Sequence, residues 1–231
     1  MTNTLGENQG WAPAALAHEG IFTRSVRRDL TDLNRRYLEL GLRPDAGADP
    51  MLAWSEAVRR EVEAADPAVR DRMACCPFAL FEIHLPPENS VPGTESCAEL
   101  DRVEDRGQGE PGAARAAACV ALAHGALFTA WRLAGSAPLA ARIAFGLTPA
   151  TELELNEMCP TRIAQLATCP GVVRARWPER PRFWAMLRAA ANADCTHSLQ
   201  WAHCFGICLM DGERGGARVE DVVAPDGPPH R

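Results

Sequence analysis

The residues best equipped for chemistry lie near the C-terminus: Cys195 and His197, then His203, Cys204 and Cys208. Thiolates and imidazoles close together in sequence are the usual ligands of zinc. Structural zinc sites, however, draw their cysteines from Cys-x2-4-Cys pairs held in turns, and Cys204-x3-Cys208 lies in a stretch that reads as helix. If this stretch is helical, Cys204 and Cys208 share a face while His203 points elsewhere, so one ion does not easily gather all three. The cluster reads as helix-core thiols with a surface or interface histidine, as a metal site, or as a redox switch, and no metal or cofactor is assigned. The adjacent pair Cys75-Cys76 points to opposite sides and reads as small buried hydrophobes. Cys159-Pro160 and Cys169-Pro170 stand at helix edges, where a thiol at a helix start can become reactive.

A second group is the stretch Arg174–Arg188. It interleaves Arg174, Arg176, Arg180, Arg182 and Arg188 with Trp177, Phe183 and Trp184. Arginine beside aromatics can hold phosphate and stack on bases. The same residue types dominate protein hot spots, and an amphipathic helix with its tryptophans in the core is the third possibility. No catalytic set stands out: the chain has no Gly-x-Ser-x-Gly elbow, no Gly-x4-Gly-Lys-Ser/Thr loop and no His-Glu-x2-His. Glu152, Glu154 and Glu157 fall on one helical segment and read as solvated carboxylates. The expectation is a protein that is not an enzyme, with no catalytic residues.

The elements that must position these groups are organised around Leu127–Leu147. Its sequence predicts a helix, a tight break at Gly135-Ser136, and a second helix opened by Pro138 and closed by Gly146. Apolar residues three to four apart give each helix one dry face. Two short helices cannot bury such faces alone, so Leu127, Phe128, Trp131, Leu139, Ile143 and Leu147 are the candidate dimer interface, covered either by further helices of this chain or by a second copy. Upstream, the spacing predicts helices over Ser25–Gly41, Met51–Ala65 and Asp66 to about Ala74, then a short extended segment within Cys76–Leu85. Downstream, helices are expected over Ala113–Ala134, after Pro149, over Arg162–Thr168, from Pro181 to Ala191, and over Thr196–Met210 capped by Asp194, with Val172–Trp177 extended between them. Residues 86–112 are rich in Pro, Gly, Ser and acid and read as a solvated tether. The expected organisation is a flexible leader over 1–20, a helical module over 21–85, an acidic linker over 86–112, a helical domain over 113–212 and a flexible tail over 213–231.

Composition narrows the partners. The chain has 231 residues, 47% of them hydrophobic, enough for a real core. Its net charge of -6 argues against a general nucleic-acid coating protein, because such binding is largely counterion release by basic residues. All 24 basic residues are arginine, in keeping with either a composition bias or a choice of bidentate phosphate contacts. No run of eighteen apolar residues is present and the N-terminus lacks a basic stretch followed by an apolar one, so neither a membrane span nor a signal peptide is expected. The expected location is the cytoplasm, where the nine cysteines would remain mostly as free thiols.

The C-terminal half also resembles a known family. Leu127, Ala130, Arg132 and Leu133, then Ala141, Gly146 and Leu147, then Leu155, the run Arg162-Ile163-Ala164-Gln165-Leu166-Ala167, and Leu199-Gln200-x-Ala202-His203 leading to Ile207 follow the order and spacing of the FlhD subunit of the bacterial flagellar master transcriptional regulator. The likeness covers about residues 113–210. It implies an all-α, intertwined FlhD-like homodimer that joins an FlhC-like second subunit to bind promoter DNA and activate transcription. It adds His203 to Arg174, Arg176, Arg180, Arg182, Trp184 and Arg188 as the candidate partner- or DNA-binding set. Where that family carries a cysteine able to link subunits, this chain has Val173-Arg174, which leaves nearby Cys169 as the one substitute for an inter-chain disulfide. The alternative is a helical adaptor or secretion-associated interaction module without a DNA role.

Overall fold

The computed structural model describes residues 22–43, 50–86, 111–193 and 196–215. Among these, nine helices and one two-stranded sheet form an all-α architecture. α1 (Arg24–Gly41) starts at Thr23, whose side chain accepts a hydrogen bond from the Val26 amide. Val26, Leu30, Leu33, Tyr37 and Leu40 form its buried stripe. The expected helix Met51–Ala65 is two pieces instead, a 3-10 turn over Pro50–Leu52 and α2 (Glu56–Glu63). The division has a local cause: Ser55 caps α2 by accepting from the Val58 amide, and its own amide is drawn to the Pro178 carbonyl. Trp54, just before the cap, swings its indole inward to donate to the Tyr37 hydroxyl at 2.7 Å.

α3 (Pro67–Ala74) opens as expected at Asp66-Pro67, with the Asp66 carboxylate accepting from the Val69 amide. The extended segment follows as β1 (Phe81–Ile83). α4 (Pro111–Ser136), α5 (Pro138–Phe145), α6 (Pro149–Glu157) and α7 (Pro160–Ala167) come next. The expected break at Gly135-Ser136 falls instead at Ala137, because the first helix continues through Ser136, whose hydroxyl donates to the Arg132 carbonyl. Pro138 opens α5 as expected, and Gly146 ends it in the left-handed region at φ 70°. β2 (Val173–Ala175) lies antiparallel to β1 in the register Phe81 to Ala175, Glu82 to Arg174 and Ile83 to Val173. α8 (Pro181–Asn192) and α9 (Thr196–Gly215) complete the fold.

The expected division into an N-terminal module and a separate C-terminal domain gives way to a shared core. α1 packs on α4, α2 and α3 pack on α8, and β1 pairs with β2, so each half covers the other. The acidic composition of 86–112 says nothing about whether the elements on either side of it pack together. Residues 87–110, the leader, Asp194 with its expected cap, and the tail beyond Gly215 lie outside the described residues. α4 is long and apolar enough by length and composition to cross a bilayer, a property the absence of an eighteen-residue apolar run had concealed. In the fold one side of it is buried against α1, α5, α6 and α7.

Two buried polar side chains tie the layers together. Asn34 on α1 donates from Nδ2 to the carbonyls of Ala74 and Phe78 and accepts the Leu80 amide on Oδ1 at 2.8 Å. Arg176, directly after β2, donates to the carbonyls of Ala79 at 2.9 Å and Phe145 at 2.6 Å.

Candidate interaction surface

The arginine–aromatic stretch does not form one exposed patch. Arg176 is 4% exposed and its guanidinium is consumed by backbone carbonyls, so the expectation that it contacts a partner or DNA is corrected: it is a core tie. Trp184 is corrected likewise. It is fully buried, its indole donates to the Trp177 carbonyl at 3.2 Å, and its ring lies against Trp54 and Phe183. Trp177 carries the only positive φ of a non-glycine among the described residues, 54°. That turn steers the chain from β2 into α8 and aims the Trp177 carbonyl at Trp184. Arg188 is half-buried and pairs with Glu61 of α2 at 3.0 Å. Arg180 is half-buried, whereas Arg174 and Arg182 are exposed. His203 is half-buried and sits edge-on to Phe78, ring centroids 6.3 Å apart.

The proposed dimer residues divide in the same way. Leu127 and Leu147 are buried within the single chain, a correction with a simple cause: the chain supplies its own covering helices. Leu33 of α1, for example, approaches α4 so closely at Gly125 that an added β carbon would stand 3.1 Å from its Cδ2. Ile143 and Trp131 are partly buried, and the Trp131 indole donates to the Met158 carbonyl at 2.9 Å. Phe128 and Leu139 remain outward, 41% and 58% exposed. On α4 the outward stripe runs through Val120, His124 and Phe128 to Trp131, the His124 and Phe128 rings stacked with centroids 5.9 Å apart. Leu153 on α6 is also exposed.

Two further features carry side chains with chemical character. A groove of about 440 Å³ between α1 and α3 is lined by Arg35, Glu39, Arg70 and Asp71 among others. Arg35 donates to Asp71 at 2.8 Å and to Asp32 at 3.0 Å, Arg70 donates to the Ala65 carbonyl at 2.9 Å, and the Asp71 hydrogen bond foremost holds the Arg35 guanidinium above its ordinary range. On α9, His197, Trp201, Cys204 and Cys208 share one exposed stripe, which corrects the expectation that the two thiols belong to the helix core. The 3.6-residue period marks that stripe, but nothing in the period says which side of a helix meets solvent. No group of three or more His, Cys, Asp or Glu side chains among the described residues is placed to hold a metal, and Cys195 lies outside them.

Fold and surface together define a predominantly helical protein with large apolar side chains left outward on α4, α5, α6 and α9. Comparison with protein families, with curated proteins and with solved structures returns no match.

Proposed function

We propose that this chain is a non-catalytic interaction protein that presents the outer side of α4 and α5 to a second copy of itself. The observation that carries the reading is the outward exposure of Phe128 and Leu139 after the chain's own helices have covered Leu127 and Leu147. Large exposed apolar side chains mark a surface for a protein partner where they join into one patch, and the reading takes Phe128 and Leu139 as parts of such a patch. Sedimentation of the purified chain tests it. The expected result is a dimer that becomes a monomer in Phe128→Asp/Leu139→Asp, with an unchanged helical circular dichroism spectrum. A monomer throughout the micromolar range in the unaltered chain overturns it.

The FlhD resemblance gives this reading a narrower form: a cytoplasmic transcriptional co-regulator that reaches promoter DNA as a dimer joined by an FlhC-like subunit. Arg174 and Arg182 support it, since both keep their guanidinium groups at the surface. Retention on promoter DNA that weakens as salt rises, and that requires the partner, is the expected behaviour. Absence of retention under every pairing leaves the adaptor without a DNA role.

A further inference from the structure

We propose that Cys204 and Cys208 on α9 form a two-thiolate site for copper(I). Both thiols are exposed and free. They stand one helical turn apart on one face, which sets their β carbons about 5–6 Å apart. A disulfide needs β carbons at roughly 3.5–4.5 Å, so an intact α9 holds the pair as dithiol rather than letting it close on itself. A bridging ion spans the wider gap. Soft thiolates select copper(I) and zinc among biological metals, and structural zinc takes four protein ligands. Here a third and fourth are lacking among the described residues. His197 is two turns away from Cys204, His203 is turned against Phe78, and Met210 is buried beside the Arg176 guanidinium. A monovalent soft ion satisfied by two ligands fits that set. Binding displaces both thiol protons: one copper(I) ion and two thiols give a bis-thiolate complex of charge -1 and two protons, with no change of oxidation state. The site lies on α9, apart from the α4–α5 surface, and does not depend on the dimer.

Trp201 supplies the readout. It stands one turn before Cys204 on the same face and is 69% exposed. The experiment loads the full chain anaerobically with copper(I) as its acetonitrile complex and competes with bicinchoninate. About one copper per chain is expected to survive, together with quenching of the exposed tryptophan. Cys204→Ser and Cys208→Ser should each weaken retention by more than the roughly 10–100-fold typical of losing an outer-shell partner. Cys159→Ser, which removes an exposed thiol elsewhere, should leave it unchanged. Trp201→Phe should bind copper normally but lose the quenching. Failure of the unaltered chain to retain copper overturns the proposal, and so does retention that persists in Cys204→Ser/Cys208→Ser.

Discussion

The guanidinium of Arg176 fills the space that a side chain at residue 146 would need: a β carbon built on Gly146 would stand 2.6 Å from Nη2. Glycine is required there twice over, because the residue also sits at φ 70°. Arg176→Met should therefore be strongly destabilising, since it leaves the carbonyls of Ala79 and Phe145 buried without their donor. A loss of about 3–5 kcal/mol is expected, in line with breaking a buried charged hydrogen-bond set. Gly146→Ala should destabilise by at least about 1 kcal/mol from the backbone alone. Urea midpoints of both variants measure this. A change within about 0.5 kcal/mol, the range of surface substitutions, would return Arg176 to the surface role first expected of it.

Asn34 makes a parallel prediction with a pH signature. Asn34→Leu removes three buried hydrogen bonds and should cost roughly 2–4 kcal/mol. Asn34→Asp should be worse near neutral pH, because a carboxylate oxygen would then face the Ala74 and Phe78 carbonyls. Burial among acceptors raises the folded pKa of that aspartate above its unfolded value near 3.9. A group shifted this way is tolerated below its unfolded pKa and destabilises as pH rises. The Asn34→Asp stability deficit should accordingly shrink as the urea midpoint is followed from pH 7 toward pH 4, while that of Asn34→Leu stays level.

Most of the fold was legible because its signals are local. Asp66-Pro67 and Gly146 each fix a helix boundary through capping and φ alone, and Pro138 opens its helix where the sequence placed it, although the preceding helix runs through Gly135-Ser136 and the break falls at Ala137. The alternation of Val172–Trp177 gave β2 for the same reason. Long-range cover was not legible. A stripe containing Leu127 states that a face is dry but not whether α1 or a second chain dries it. Arg176 illustrates the limit at the candidate surface: arginine next to tryptophan looks alike whether it awaits a phosphate or is already held by the Phe145 carbonyl. Asn34, set among Leu30, Leu33 and Tyr37, was the one available hint of a buried polar tie, since an amide within an apolar stripe must find partners inside.

Alkaline pH should reveal two buried groups. Burial pushes both the Cys76 thiol and the Tyr37 phenol well above their ordinary values of 9.0 and 10.0, the hydrogen bond from Trp54 only partly offsetting this for Tyr37. Each raised folded pKa means that the unfolded chain loses its proton first. Stability is then fully present below pH 9 and falls as pH rises beyond it, by up to about 1.4 kcal/mol per pH unit for each group that has ionised only in the unfolded chain. Cys76→Ala and Tyr37→Phe should each flatten the decline of unfolding free energy between pH 9 and 11. Alkylation at pH 8 followed by peptide mapping provides a second reading. Cys75, Cys159, Cys204 and Cys208 should be labelled in the native protein, and Cys76 only after unfolding.

The tryptophans separate core from surface most directly. Trp184 is fully buried against Trp54 and Phe183, and Trp201 is 69% exposed. Trp184→Ala should cost about 3–5 kcal/mol, the range for emptying a large aromatic site. It should also free the Trp177 carbonyl and loosen the junction between β2 and α8. Trp201→Ala should change stability by no more than about 0.5 kcal/mol. Iodide, which reaches only surface indoles, should quench a fraction of the emission in the unaltered chain that diminishes in Trp201→Ala. If Trp201→Ala instead lowered the urea midpoint as much as Trp184→Ala, α9 would have to turn its His197–Cys208 stripe toward the core, and the copper-binding pair would be buried with it.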